Sequence, residues 1–117
     1  MTSAPEQDYW QALETLLQTA QIVVDRPRGQ AHPHYPELIY PLDYGYLEGT
    51  SAGDGAGIDV WVGSQPDQTL TGILCIYDNT KREAEIKILA GCTPSDIEII
   101  LQFTGQMTPH LYIPKPQ

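Results

Sequence analysis

The spacing of apolar residues changes along the chain, and the changes mark the elements. Trp10, Leu13, Leu16, Leu17 and Ala20 recur three and four positions apart, the period of one helix face, which predicts a helix over about residues 6–20. Pro5 suits its first turn, and Glu6 and Asp8 suit the positive end of its dipole. The period then shortens. Residues 21–24 read as a strand that stops at Arg26-Pro27-Arg28-Gly29, and residues 29–37, rich in Pro and His, read as a loop. Residues 38–40 read as extended because Pro41 pushes its predecessor toward the β region. Further strands are predicted over residues 44–47, 58–62, 70–77 and 84–89.

Alternation assigns faces within these strands. Ile58, Val60 and Val62 share one face, and Asp59 and Trp61 the other; Ala84, Ile86 and Ile88 oppose Glu83, Glu85 and Lys87. A second helix is predicted from Pro94. Thr93 is placed as its N-cap, Asp96 as the acid of a capping box, and Gly105 as its end. Residues 110–113 add a short sixth strand. The expected fold is α+β: a small, five- to six-stranded, partly closed β-barrel with an N-terminal and a C-terminal helix, since closure protects strand edges.

At 117 residues the chain fits a single domain, 1–117, with one modest core. Hydrophobic residues at 41% and charged residues at 18% exclude a disordered chain. No apolar run approaches the ~20 residues that span a bilayer, and the start lacks a signal peptide's basic and apolar segments. The expectation is a cytoplasmic protein with no membrane partner. Cys75 and Cys92 lack the spacing of a zinc site and read as buried thiols.

The net charge of -9 argues against nucleic acid as a partner, which Lys and Arg must grip. Its distribution is more informative. Residues 30–80 hold no Lys or Arg, yet carry Glu37, Asp43, Glu48, Asp54, Asp59, Asp67 and Asp78. Arg26 and Arg28 precede this stretch; Lys81, Arg82, Lys87 and Lys115 follow it. Such a pattern can hold hard cations beside a phosphate, and it also simply keeps a protein soluble.

Three segments carry candidate chemistry. In Asp54-Gly55-Ala56-Gly57-Ile58-Asp59 two carboxylates flank a glycine-rich turn that runs into a strand. Such a turn lets both converge on a cation that takes oxygen ligands, such as Mg²⁺, although aspartates also favour turns for their own geometry. Glu85 and Lys87 share a strand face roughly 7 Å apart, a spacing that suits a metal ligand beside a phosphate grip or an ordinary ion pair. Tyr40, Tyr44 and Tyr46 can present hydroxyls to a phosphate or fill the core. His32 and His34 lie in the loop before them.

Taken in order, Tyr-Pro-x-x-Tyr-Gly-Tyr, then Asp-Gly-x-x-x-Asp-Val, then an acid two residues before a lysine resembles the soluble family I inorganic pyrophosphatases, over roughly residues 23–89. The resemblance implies an OB-like barrel, homo-oligomers, and hydrolysis of pyrophosphate to two phosphates by water activated between two Mg²⁺ ions, with Mn²⁺ an alternative to Mg²⁺. It implies metal ligands at Asp54, Asp59 and Glu85, with Asp78 a further one if a two-residue shift from Thr80 is allowed. It makes Lys87 and Tyr44, with Tyr40, the phosphate contacts, and Asp59, Lys87 and Tyr44 the catalytic set. Arg26 or Arg28 is the phosphate-binding arginine; a second overlay instead sets His34 and Glu37 near a family lysine and glutamate.

The departures are specific. The signature's middle aspartate, which in the family activates the attacking water, is Ala56 here, and Gly57 follows it. Asp43 is the nearest acid in sequence that could replace it. A late tyrosine-lysine pair has no clear match, Lys115 being the only late lysine. The resemblance therefore implies a slow pyrophosphatase, or alternatively a silent relative that binds metal and phosphate.

Overall fold

The computed structural model describes residues 3–117. Helix α1 runs Ala4–Thr19, two residues earlier than the apolar period alone predicts. Ser3 causes the early start: its hydroxyl accepts the Glu6 N–H at 3.3 Å, satisfying one of the free donors of the first turn. Strands β1 (Ile22–Arg26), β2 (Asp43–Leu47), β3 (Asp59–Val62), β4 (Leu70–Asp78) and β5 (Glu83–Ala90) follow, then α2 (Pro94–Gly105) and β6 (His110–Pro114).

The stretch 38–40, expected to be extended, joins no strand of the sheet. Ile39 makes only an isolated bridge to Ala31. Tyr40 and Leu38 instead donate their N–H groups back to Gln30 and Tyr35, so the Pro-rich segment folds on itself as a loop.

The six strands form one mixed sheet in the order β1-β2-β3-β5-β4-β6. Only β3 and β5 run parallel; the other neighbours are antiparallel. The expected barrel is not what this ladder builds, because β1 and β6 are the ends of the order and the sheet is not closed. The burial pattern shows how this sheet is covered. Val60 and Trp61 are consecutive and both buried, as are Ile88 and Leu89, so both faces of the sheet need cover.

On one face Leu47, Val60, Ile73 and Ile88 pack with Trp10 and Leu17 of α1. On the other, Tyr44, Trp61, Leu74 and Leu89 pack with Ile100 and Phe103 of α2. Gly45 sits where β1 crosses β2 closely: a Cβ there would lie 1.8 Å from the Val23 carbonyl oxygen, so no larger residue fits without separating the strands. Lys115 pairs with Glu14 of α1. Among the described residues no helix is long and apolar enough to cross a membrane.

The capping box of α2 forms as expected. The Thr93 hydroxyl accepts the Asp96 N–H, and the Asp96 carboxylate accepts the Thr93 N–H at 2.9 Å. The same carboxylate takes the N–H and hydroxyl of Ser64, each at 2.8 Å, tying α2 to the end of β3. Asp96 is 5% exposed. Burial by itself would raise its pKa, but the hydrogen bonds from Ser64 and Thr93 outweigh it and hold the carboxyl below its ordinary value. An acid with a lowered folded pKa stabilises at pH above its unfolded value, and loses that contribution as pH falls through the folded one. Asp96→Asn should therefore cost about 1.5–3 kcal/mol at pH 7, the range for hydrogen bonds to a charged group. The gap from the parent chain should close below about pH 4; thermal unfolding at pH 7 and pH 3 reads both.

Gly105 does not end α2 through a left-handed turn. Gln106 continues in right-handed geometry, and the N–H groups of Met107 and Thr108 bond the Thr104 carbonyl. This tighter extra turn carries Met107 and Thr108 over the sheet face that holds Asp59, Glu85 and Lys87.

Candidate active site

Register brings the candidate residues together. In the parallel pair, Val60 lies opposite Ile88 and Trp61 opposite Leu89; one step back along both strands sets Asp59 beside Lys87. Tyr44 opposes Trp61 on the other flank, so its ring points the same way as Trp61 and Asp59. Glu85 and Lys87 alternate onto that face with Leu89, while Ile86 and Ile88 point to α1. The result is a cavity of about 900 Å³ over the α2 face of the sheet, lined among others by Arg26, Tyr40, Tyr44, Asp54, Ala56, Asp59, Asp78, Glu85 and Lys87.

Lys87 is the hub. Its ammonium lies 3.1 Å from Asp59 Oδ2 and 3.6 Å from Glu85 Oε1, donates to the Tyr44 hydroxyl oxygen, and sits 4.8 Å from the centre of the Tyr44 ring. The Tyr44 hydroxyl donates in turn to Asp59 Oδ2 at 2.6 Å. Burial first, and the nearby Asp59 charge second, push the Tyr44 pKa upward, so the phenol keeps its proton. Glu85 is also raised, chiefly by burial and further by Asp59 and Asp54, with Lys87 pulling the other way. Three carboxylates thus feel one another across the cavity, and one ammonium offsets two of them.

Asp54 stands on the cavity wall but is partly committed to its own turn. Its Oδ1 accepts the Ala56 N–H at 3.0 Å, and Gly55 takes a positive φ of 85° to close the loop. The turn and ligand readings of this aspartate are compatible, since a second oxygen remains. Asp78 likewise lines the cavity while its Oδ1 caps the β4–β5 turn, accepting the N–H groups of Thr80 and Lys81 at 2.9 Å each.

The two arginines part company. Arg26 lies on the cavity and donates to the Tyr40 hydroxyl at 2.7 Å. Arg28 is exposed, off the lining, and held through its backbone N–H to Asp43 Oδ1 at 2.8 Å. Of the two, Arg26 is the one that lies with Lys87 and Tyr44 on the cavity. Asp43 is off the lining too. His34 is on the cavity and Glu37 is not. Lys115 is engaged with Glu14.

Lys81, Thr104 and Thr108 also line the cavity, and sequence reasoning assigned them nothing. Lys81 alone had a signal: a cation directly after the acidic, base-free stretch and next to the Asp78 turn. The buried Trp61 N–H has no hydrogen-bond partner among the described residues.

Among the described residues no three of His, Cys, Asp and Glu stand together closely enough to hold a metal ion. Beside Asp59 and Glu85 the positive charge is the Lys87 ammonium. No protein-family model matches the chain, and no curated protein matches it.

Proposed function

We propose that this cavity binds divalent metal and phosphate and hydrolyses pyrophosphate to two phosphates. The observation that carries the reading is the Lys87 ammonium held between Asp59 and Glu85, with Tyr44, Arg26 and Asp54 on the same cavity. The donors are of the kind Mg²⁺ takes, carboxylate oxygens, which a hard cation prefers, and the lodged ammonium marks a point where positive charge is favoured. As they stand, no three of these acids are close enough to hold a metal, so binding would require Lys87 to leave and the carboxylates to close in. Asp54, Asp59 and Glu85 would hold Mg²⁺, with Asp78 at the turn beside them. When bound, the metal would polarise phosphoryl oxygens and lower the pKa of a water.

The chain's own residues do the rest. Lys87, released from the carboxylates, offsets charge on a phosphoryl oxygen. Tyr44, kept protonated by burial, is a neutral donor that can turn from Asp59 to phosphate. Arg26 is fixed by Tyr40 and grips the second phosphoryl group. Ala56 supplies only a methyl to the wall, so no carboxylate there takes a proton from the attacking water. That observation favours the second reading, a protein that binds metal and phosphate without turnover.

Phosphate release from pyrophosphate, with Mg²⁺ and with a chelator, separates the two. The enzyme reading expects slow, Mg²⁺-dependent release that Asp59→Asn abolishes. Binding of phosphate in the presence of Mg²⁺, without release, would support the silent reading.

A further inference from the structure

The cavity is larger and less polar than pyrophosphate needs. Its volume of about 900 Å³ lies at the upper end of the ~300–1,000 Å³ typical of sites for drug-sized ligands, whereas pyrophosphate is two phosphoryl groups sharing an oxygen. The lining also divides by chemistry. Asp54, Asp59, Glu85 and Lys87 supply its charge; His32 and Tyr35 supply an aromatic rim.

The rim is built in steps. Tyr40 lies 5.3 Å from Tyr44. The His32 ring stacks nearly parallel on Tyr40, 5° apart in plane with centroids at 5.9 Å. Tyr35 stands 5.1 Å beyond His32 and is 49% exposed. The loop that carries these rings is braced by the His32 N–H on the Leu38 carbonyl at 2.8 Å and the Ala31–Ile39 bridge, which fixes its backbone path. Burial, helped by Arg26, His34 and Lys87, lowers the His32 pKa, which leaves a neutral imidazole at pH 7. The Arg26 guanidinium lies 5.7 Å over the Tyr40 ring.

We propose that the preferred ligand is a phosphoanhydride bearing a planar heterocycle, the chemistry of a nucleoside diphosphate, with its ring on Tyr35 and His32 and its phosphates toward Arg26 and Lys87. This rests on the metal-and-phosphate reading of the site and names its substrate class. Stacking on an exposed ring does not depend on base identity, so selectivity among bases is expected to be weak. The exposed tyrosine at the mouth of an acidic cavity then holds the part of the ligand that the charged residues cannot.

Calorimetric titration with ADP and with pyrophosphate, each with Mg²⁺, tests this on the parent chain and on Tyr35→Ala and Tyr35→Phe. ADP is expected to bind at least as tightly as pyrophosphate. Tyr35→Ala should weaken ADP by about tenfold, the scale of one lost base–aromatic stack, without changing pyrophosphate affinity, and Tyr35→Phe should restore ADP binding. Pyrophosphate binding with ADP weaker, or with ADP indifferent to Tyr35, would overturn the substrate class and leave the proposed function standing. Failure of both ligands to bind would overturn both.

Discussion

Lys87→Met is expected to lower Mg²⁺-dependent pyrophosphate hydrolysis by about 10²–10³-fold, the cost of removing one donor that stabilises transition-state charge. The same substitution should tighten Mg²⁺ binding in the absence of phosphate, by roughly tenfold. The opposite signs follow from the geometry. The ammonium is 3.1 Å from Asp59 and 3.6 Å from Glu85, so a cation seeking those oxygens must first displace it. Once phosphate arrives, the displaced lysine has a new anion to meet. Methionine keeps most of the side chain's length and apolar volume, which limits collapse of the partly buried site. A purely structural lysine would behave differently: its loss would lower the unfolding temperature and leave Mg²⁺ affinity where it was. Calorimetry with MgCl₂ alone, beside a phosphate-release assay, reads both halves.

The second large effect has the opposite direction. Ala56→Asp should raise turnover, by up to about 10²–10⁴-fold, the usual contribution of a general base. Ala56 is exposed on the cavity wall, and its N–H is already bonded to Asp54, so the turn that positions it does not depend on its side chain. Asp43, the acid nearest in sequence, is occupied with the Arg28 N–H and off the cavity. An unchanged rate with metal binding intact would show that position 56 has no proton-transfer role in this chain.

Much of this arrangement was legible in the letters. The two-residue alternation of β5 placed Glu85 with Lys87, and that of β3 placed Asp59 with Trp61; both pairings hold because period alone decides which face a strand residue takes. Thr93 and Asp96 announced the start of α2, since a capping box is local chemistry. Features set by long-range contact were not legible. Nothing in sequence reveals that β3 lies parallel to β5, yet that register is what sets Asp59 beside Lys87. The same gap lies behind the barrel expectation: counting strands suggests closure, whereas only the pairing itself shows that β1 and β6 are the two ends of the sheet.

The site shows the same division. The glycine-flanked pair of acids marked Asp54 as a candidate ligand, and the resemblance added Asp78, but letters alone cannot show that each already caps its own turn. Arg26 and Arg28 are two positions apart and equivalent as charges. The bulge between Val24 and Arg26 in the β1–β2 ladder lies next to Arg26, which faces the cavity and Tyr40, while Arg28 falls on exposed backbone beyond the strand. Lys81, Thr104 and Thr108 were given no role because the β4–β5 turn, the end of α2 and the extra turn after it bring them in from distant sequence.

The proposed chemistry requires Asp54, Asp59 and Glu85 to gather around cations, with phosphate against Lys87. A crystal grown with Mn²⁺ and inorganic phosphate puts this to the sharpest trial, through the anomalous signal of the metal. A Mn²⁺ peak is expected within coordination distance of those three carboxylates, with a phosphate between it and a Lys87 that has moved off Asp59. A cavity with no metal peak and the Lys87–Asp59 pair intact, in crystals that hold Mn²⁺ elsewhere or not at all, would contradict it.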